Sequence, residues 1–190
     1  MKDLVVIGGP NGAGKTTAAA ELLPKALSIR EFVNADEIAR GLSPFNPDGA
    51  AVPAGRVMLE RMRALVDAGE SFAFETTCAG RSHARLLRAC RHAGYRITLF
   101  FLWLPSAELA VRRVAQRVRQ GGHHIPRETV IRRYAAGLRN LRHIYLPLAD
   151  AALIYDNSEA TRGLIAELEP RTPLVVHDPA RWALIEEATR

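Results

Sequence analysis

Residues 9–16, Gly9-Pro10-Asn11-Gly12-Ala13-Gly14-Lys15-Thr16, fit the pattern G-x-x-x-x-G-K-[ST] without a mismatch. No other feature of the 190-residue chain restricts its fold as strongly. The glycines let successive backbone N–H groups curl around a phosphate, the lysine reaches the outer oxygens, and the Thr16 hydroxyl is placed to ligate Mg²⁺. Such a loop needs a strand before it and a helix after it, because the helix N-terminus completes the anion site. Both are legible: residues 4–7 are an apolar run of strand length, and residues 16–23 suit a helix. With glycine at about 7% of average usage, a chance match in a chain this long has odds on the order of one in a hundred or less.

The rest of the chain alternates short apolar runs with segments of helical period. Strands are predicted at residues 4–7, 31–33, 71–75, 97–104, 152–155 and 173–176. Helices are predicted to begin near Lys15, Pro53, Arg81, Ser106, Arg127 and Thr161, with a last one from Pro179 behind the capping residue Asp178. Strand–helix alternation over the whole length implies one α/β domain across residues 1–190, three layers deep, with a mostly parallel sheet. The 48% hydrophobic content supplies its core. The longest apolar run, residues 97–104, is far shorter than the ~20 residues that span a bilayer, so no membrane segment is expected. Residues 1–10 lack the apolar length of a signal peptide, and Cys78 and Cys90 fit neither a disulfide framework nor a zinc site. A cytoplasmic protein is the expectation.

The chain carries no N-K-x-D segment of the kind that reads guanine, which favours ATP as the nucleotide. Phosphoryl transfer to a hydroxyl then needs a placed acceptor, a metal, cations around the γ-phosphoryl and a carboxylate to take the proton. Asp36, in Asn34-Ala35-Asp36-Glu37, follows the second strand and is expected beside the first; its alternative use is to cap the helix over residues 37–40. Glu75, followed by Thr76 and Thr77, ends the third strand and points polar groups at the crevice where open α/β sheets bind ligands. Arg112, Arg113, Arg117 and Arg119 decorate a helix with the apolar stripe Val111, Val114, Ala115 and Val118. The loop Gly121-Gly122-His123-His124-Ile125-Pro126 separates it from a second arginine-rich helix bearing Arg132 and Arg133. His123 and His124 are adjacent, project apart and make a poor metal pair.

Gly9 to Thr17, Asn34-Ala35-Asp36-Glu37-Ile38, Ala54-Gly55-Arg56, Phe74-Glu75-Thr76-Thr77, Gly121-Gly122-His123, Arg133-Tyr134 and Tyr155-Asp156-Asn157-Ser158 together resemble the zeta toxin family of small-molecule kinases. The resemblance implies a P-loop kinase sheet with a helical, arginine-rich lid over about residues 106–142. It implies that Gly9, Pro10, Asn11, Gly12, Ala13, Gly14, Lys15, Thr16 and Thr17 hold ATP, with Thr16 on Mg²⁺. It further implies Asp36 as general base, Lys15 and Arg113 or Arg117 on the transferring phosphoryl, and Glu75, Thr76, Arg56 and Arg132 toward the acceptor. The implied acceptor is a UDP-linked amino sugar, and the implied protein partner an antitoxin. Where the family carries a second lid arginine shortly before a proline, this chain has His123 and His124 before Pro126, with Arg119 or Arg132 as substitutes.

The formal charge of +6 is unevenly distributed. Residues 81–142 hold 14 arginines against Glu108 and Glu128, a net of +12, and the remainder is acidic. The expectation is a basic clamp concentrated at the lid. Aromatic content of 6% supplies no stacking platform, so a nucleic-acid end is the alternative acceptor rather than the favoured one. The other alternative is a nucleotide-binding module without transfer activity, which the presence of Asp36 and Glu75 disfavours.

Overall fold

The computed structural model describes residues 2–27, 29–122 and 124–189. Seven strands, β1 (Lys2–Gly8), β2 (Glu31–Val33), β3 (Phe72–Thr76), β4 (Tyr95–Trp103), β5 (Ala151–Asp156), β6 (Gly163–Leu168) and β7 (Val175–Val176), form one sheet in the order 2-3-1-4-5-6-7. The first five in that order are parallel, and β6 and β7 add an antiparallel edge. β1 sits between β3 and β4, with Val6 opposite Phe74 on one side and Leu99 on the other. Strands buried on both faces read as unbroken apolar runs, which is why residues 4–7 and 97–104 stand out in the sequence.

Helices α1 (Lys15–Ala26), α2 (Ala35–Leu42), α3 (Ala51–Ala68), α4 (Ser82–His92), α5 (Ala107–Arg119) and α6 (Arg127–Asn140) cover the sheet. α6 runs on through a π-helical turn, Leu141–Tyr145, into α7 (Leu146–Leu148), and α8 (Pro179–Glu187) closes the chain. The main core joins Phe72, Phe74, Phe101, Trp103 and Tyr145 to Met58 and Met62 of α3 and Leu87 of α4. A second cluster binds Ala110 and Val114 of α5 and Val130 of α6 to Ala13, Leu102 and Leu104, so the paired arginine-rich helices rest directly on the loop after β1.

Three expectations are corrected. The helix predicted near Thr161 is the strand β6: the apolar positions 164, 165 and 168 satisfy a helical template, but β5 presents an open edge whose backbone groups need partners. An antiparallel hairpin supplies them without a crossover, with Ala152 opposite Leu168. β2 pairs with β3 and not with β1, so Asp36 stands beside the end of the third strand rather than the first. Asp36 is also not the helix cap. Asn34 is: its side-chain oxygen accepts from the backbone N–H groups of Asp36 (2.8 Å) and Glu37 (3.4 Å), placing both acids in the first turn of α2. The cap expected at Asp178 forms, accepting from Arg181, and Ser106 caps α5 by accepting from Leu109.

Candidate active site

The loop after β1 is shaped by three glycines at positive φ: Gly9 (142°), Gly12 (77°) and Gly14 (79°). A Cβ at Gly9 would strike the Leu102 carbonyl, and one at Gly12 would lie 2.9 Å from the Cβ of Arg113. The loop is therefore wedged between β4 and α5, and only glycine fits. Lys15 opens α1 and is 6% exposed; its ammonium donates to the Pro10 carbonyl at 2.9 Å and lies 3.6 Å from Oε1 of Glu75. The other oxygen of Glu75 accepts from the Thr16 hydroxyl (2.7 Å) and from Nδ2 of Asn34 (3.0 Å). A carboxylate at the end of β3 thus ties the lysine and threonine of the loop to the cap of α2. Both of its oxygens face the phosphate loop.

These residues border a cleft of about 430 Å³ at the carboxyl ends of the parallel strands, lined further by Asp36, Thr76, His83, Arg117, Arg132 and Arg133. Asp36 is exposed, and its carboxylate makes no hydrogen bond among the described residues. It also borders a smaller recess of about 120 Å³ together with Arg40 and Arg133. Asn11 is buried in the cleft wall, and its side-chain oxygen has no partner among the described residues. An unpartnered buried amide beside a glycine-only concavity is what a site shaped for a ligand leaves behind.

The segment after β3 forms the opposite wall. Cys78 adopts φ 58°, unusual outside glycine, and is held there from both sides. Its N–H donates to Thr76 Oγ1 (3.0 Å), while Asn140 Nδ2 donates to the carbonyls of Cys78 (2.8 Å) and Ala79 (3.0 Å). Gly137 of α6 lets the Thr77 carbonyl approach where a Cβ would sit 2.6 Å away. Burial pushes the Cys78 thiol up to about 12, so it stays protonated. His83, in the first turn of α4, stacks at a tilt on Phe74 (5.0 Å between ring centroids), with Nδ1 3.4 Å from both Thr76 Oγ1 and the Tyr145 hydroxyl. Burial drives its pKa down to about 4, so the imidazole is neutral at physiological pH.

Of the expected residues, Asn11, Gly12, Lys15, Asp36, Glu75, Thr76, Arg117 and Arg132 line this one cleft, and Thr16 joins them through Glu75. Arg113 does not. Its guanidinium donates to the carbonyls of Asn157 (2.7 Å) and Ser158 (2.6 Å), so α5 turns this arginine toward the end of β5 and Arg117 toward the cleft. Asn157 in turn donates to the Ala13 carbonyl (2.7 Å), which makes Arg113 a brace behind the phosphate loop. Arg56 is exposed on α3 and is absent from the cleft wall, as are Thr17 and Arg119. His123 lies outside the described residues; His124 is exposed. The arginine excess of residues 81–142 is not confined to the lid either: Arg81, Arg85, Arg88 and Arg139 sit around α4, on another face. His83 was missed by sequence reasoning, since a lone histidine three residues after a glycine carries no pattern. Arg133 stood out in the sequence as one of an adjacent pair and in Arg133-Tyr134, with no role assigned to it.

A parallel sheet of order 2-3-1-4-5 with a glycine–lysine phosphate loop after its central strand and a helical pair over the cleft is a P-loop kinase fold. The chain belongs to the AAA domain family, whose model matches residues 4–141. It is similar in sequence to an uncharacterized protein of Haemophilus influenzae, 27% identical over 126 residues, which are 66% of this chain and 88% of that one. Among solved structures it resembles one from the PezAT chromosomal toxin–antitoxin system of Streptococcus pneumoniae (TM-score 0.67, 15% identity, 99% of this chain and 78% of that one). It also resembles the AvrRxo1-ORF1:AvrRxo1-ORF2 structure with sulphate ions (TM-score 0.77, 16% identity), covered in full on this side and over 64% of that chain. The chain therefore spans a little under two thirds of the AvrRxo1 chain. At such identities the likeness is one of fold.

Proposed function

We propose that this protein is an ATP-dependent kinase that moves the γ-phosphoryl group to a hydroxyl of a small metabolite. The observation that carries the reading is the pairing, in one cleft, of a complete phosphate loop with a carboxylate that is left over. Lys15, Thr16 and Glu75 are engaged with one another, and Asp36 faces the cleft unengaged among the described residues. ATP is the nucleotide in this reading, supported by a similar AvrRxo1 structure described with ATP. The loop backbone and Lys15 hold its phosphates. Thr16 would hold a magnesium ion, a cation that takes one or two protein oxygens together with substrate oxygens, and the ion would supply charge neutralisation on the nucleotide.

Asp36 accepts the proton of the acceptor hydroxyl as its oxygen bonds to the γ-phosphorus and the bond to the β–γ bridging oxygen breaks, releasing ADP. Arg117, Arg132 and Arg133 surround the equatorial oxygens during transfer, a role the sequence resemblance also assigned to Arg113. Glu75 acts on the donor side, keeping Lys15 and Thr16 in register. A nucleotide sugar, and in particular a UDP-linked amino sugar, is the proposed acceptor class, resting on the family resemblance. The same resemblance and the toxin–antitoxin origin of a structural neighbour support an antitoxin as protein partner. Incubation with Mg-ATP and a panel of nucleotide sugars is expected to yield one acceptor heavier by a phosphoryl group in mass spectrometry. ATP consumed with no acceptor modified across nucleotide sugars and simple sugars would defeat the proposal.

A further inference from the structure

Two open grooves flank α4 outside the cleft. One, of about 600 Å³, lies between α3 and α4 and is lined by Arg63, Arg81 and Arg85 above a floor of Leu59, Leu86 and Ala89. The other, of about 410 Å³, lies between α4 and α6 with its π-helical continuation, and is lined by Arg81, Arg85, Arg88, Arg139 and His143. Arg81 and Arg85 belong to both. Among the described residues no carboxylate lines either groove. None of these five arginines is in an ion pair among the described residues, although their neighbours find partners: Arg91 is 3.7 Å from Asp150 and Arg142 is 2.7 Å from Glu186.

Arg81, Arg85 and Arg88 fall at i, i+4 and i+7, a single stripe about 10 Å long at 1.5 Å per residue. Unpaired like charges at this spacing repel one another, so the stripe is unfavourable for the isolated fold and favourable only against an anion. The stripe begins next to Gly80 and His83, which line the catalytic cleft, so a chain lying on it ends at the cleft rim.

We propose that this arginine tract binds the phosphodiester backbone of a nucleic-acid strand. The cations are arginines, whose planar fork meets phosphate oxygens two at a time. Two further features favour a phosphate backbone over an acidic protein. Groove linings offer small or partly buried apolar groups and no aromatic, so a protein partner would lack the anchor that dominates stable interfaces. The exposed large apolar residues of the molecule, such as Leu42, Phe45 and Val52, lie away from both grooves. The charge is a track rather than a point, as a repeating backbone requires and a single phosphate does not. With no aromatics in the tract, binding depends on charge and is indifferent to base sequence. The surface is separate from the nucleotide site, and the inference does not depend on the acceptor proposed above.

The test is fluorescence anisotropy with a short 3′-fluorescein single-stranded DNA of mixed sequence, at low and physiological salt, using the full chain. Wild type is expected to bind with strong salt dependence. The double variant Arg85→Glu/Arg88→Glu is expected to bind at least about tenfold more weakly, with a log–log salt slope shallower by about 1.4 for two lost contacts. Arg85→Lys/Arg88→Lys is expected to keep most of the binding, and Lys15→Ala all of it. Melting temperature and nucleotide affinity confirm that the exposed substitutions leave the fold intact. Undiminished DNA binding by the Glu variant would overturn the proposal. So would displacement of the DNA by an oligoglutamate of equal charge at equal concentration, which would mark the tract as a site for an acidic protein. A loss in Lys15→Ala as large as in the Glu variant would move the DNA into the catalytic cleft and overturn it equally.

Discussion

The two sides of the cleft are built differently. On the donor side the loop is fixed by its shape and by named partners: three glycines at positive φ, Lys15 on Pro10 and Glu75, Thr16 and Asn34 on Glu75, and Arg113 bracing the loop from behind. On the acceptor side Asp36 and Arg132 are exposed, and Arg133 is half-buried. The difference teaches that the phosphate loop is preorganised by the fold, whereas the groups proposed for transfer stand open at the cleft mouth. Preorganised donors need no rearrangement at the moment of reaction, while exposed cations strengthen only as water is excluded. Substitutions should therefore separate into two kinds of loss.

The largest effect is expected from Lys15→Ala. It removes the cation from a nearly buried position, and turnover should fall by about 10²–10³-fold or more with nucleotide binding weakened in parallel. Unchanged nucleotide affinity in a calorimetric titration would break the donor-side account. Next is a pH effect at His83, whose folded pKa of about 4 lies below its ordinary 6.5. The unfolded chain takes up this proton first, so stability is full above about pH 6.5 and declines as pH falls toward 4, by on the order of 3 kcal/mol. Denaturant titrations of His83→Gln should lose that part of the acid sensitivity; an identical pH profile would contradict the burial of His83.

Gly9→Ala forces a side chain into φ 142° and onto the Leu102 carbonyl. A cost of about 1–3 kcal/mol from backbone strain alone is expected, visible as a lower melting temperature together with weaker nucleotide binding. Arg113→Ala and Arg133→Ala make the sharpest pair. Loss of the Arg113 brace should lower stability by about 2 kcal/mol, whereas Arg133→Ala should leave stability within about 0.5 kcal/mol and lower the transfer rate. Swapped outcomes would reverse the assignment of the two arginines. The smallest effect is Arg56→Ala, expected within about 0.5 kcal/mol in stability and neutral in transfer, because Arg56 is exposed and outside the cleft wall.

How much of this was legible in the sequence follows the same division. Residues 9–16 are a local, contiguous motif whose glycines have one physical use, so loop, strand and helix follow from spacing alone. Glu75 was legible as a strand-end carboxylate, but its partners were not: Lys15 and Asn34 reach it because β3 lies between β1 and β2, a pairing order that no local pattern encodes. The same order displaced Asp36 from the neighbourhood expected for it, and Asn34 took the capping role because its side chain, two residues earlier, accepts from two N–H groups at once. β6 was misread because six residues with apolar positions 164, 165 and 168 satisfy both periods, and an open sheet edge decided between them. Arg113 and Arg117 are one helical turn apart, and their different destinations depend on where α5 meets the end of β5. His83 depends on tertiary packing against Phe74 and Tyr145.

The central claim is that a preformed nucleotide site and a separate acceptor base share one cleft. It is tested most directly by Asp36→Asn, with ATP affinity measured by calorimetry and γ-phosphoryl transfer measured with labelled Mg-ATP on the acceptor that wild type modifies. The account predicts wild-type ATP affinity and a transfer rate reduced by about 10²–10⁴-fold. Transfer at the wild-type rate, or loss of ATP binding equal to that in Lys15→Ala, would contradict it.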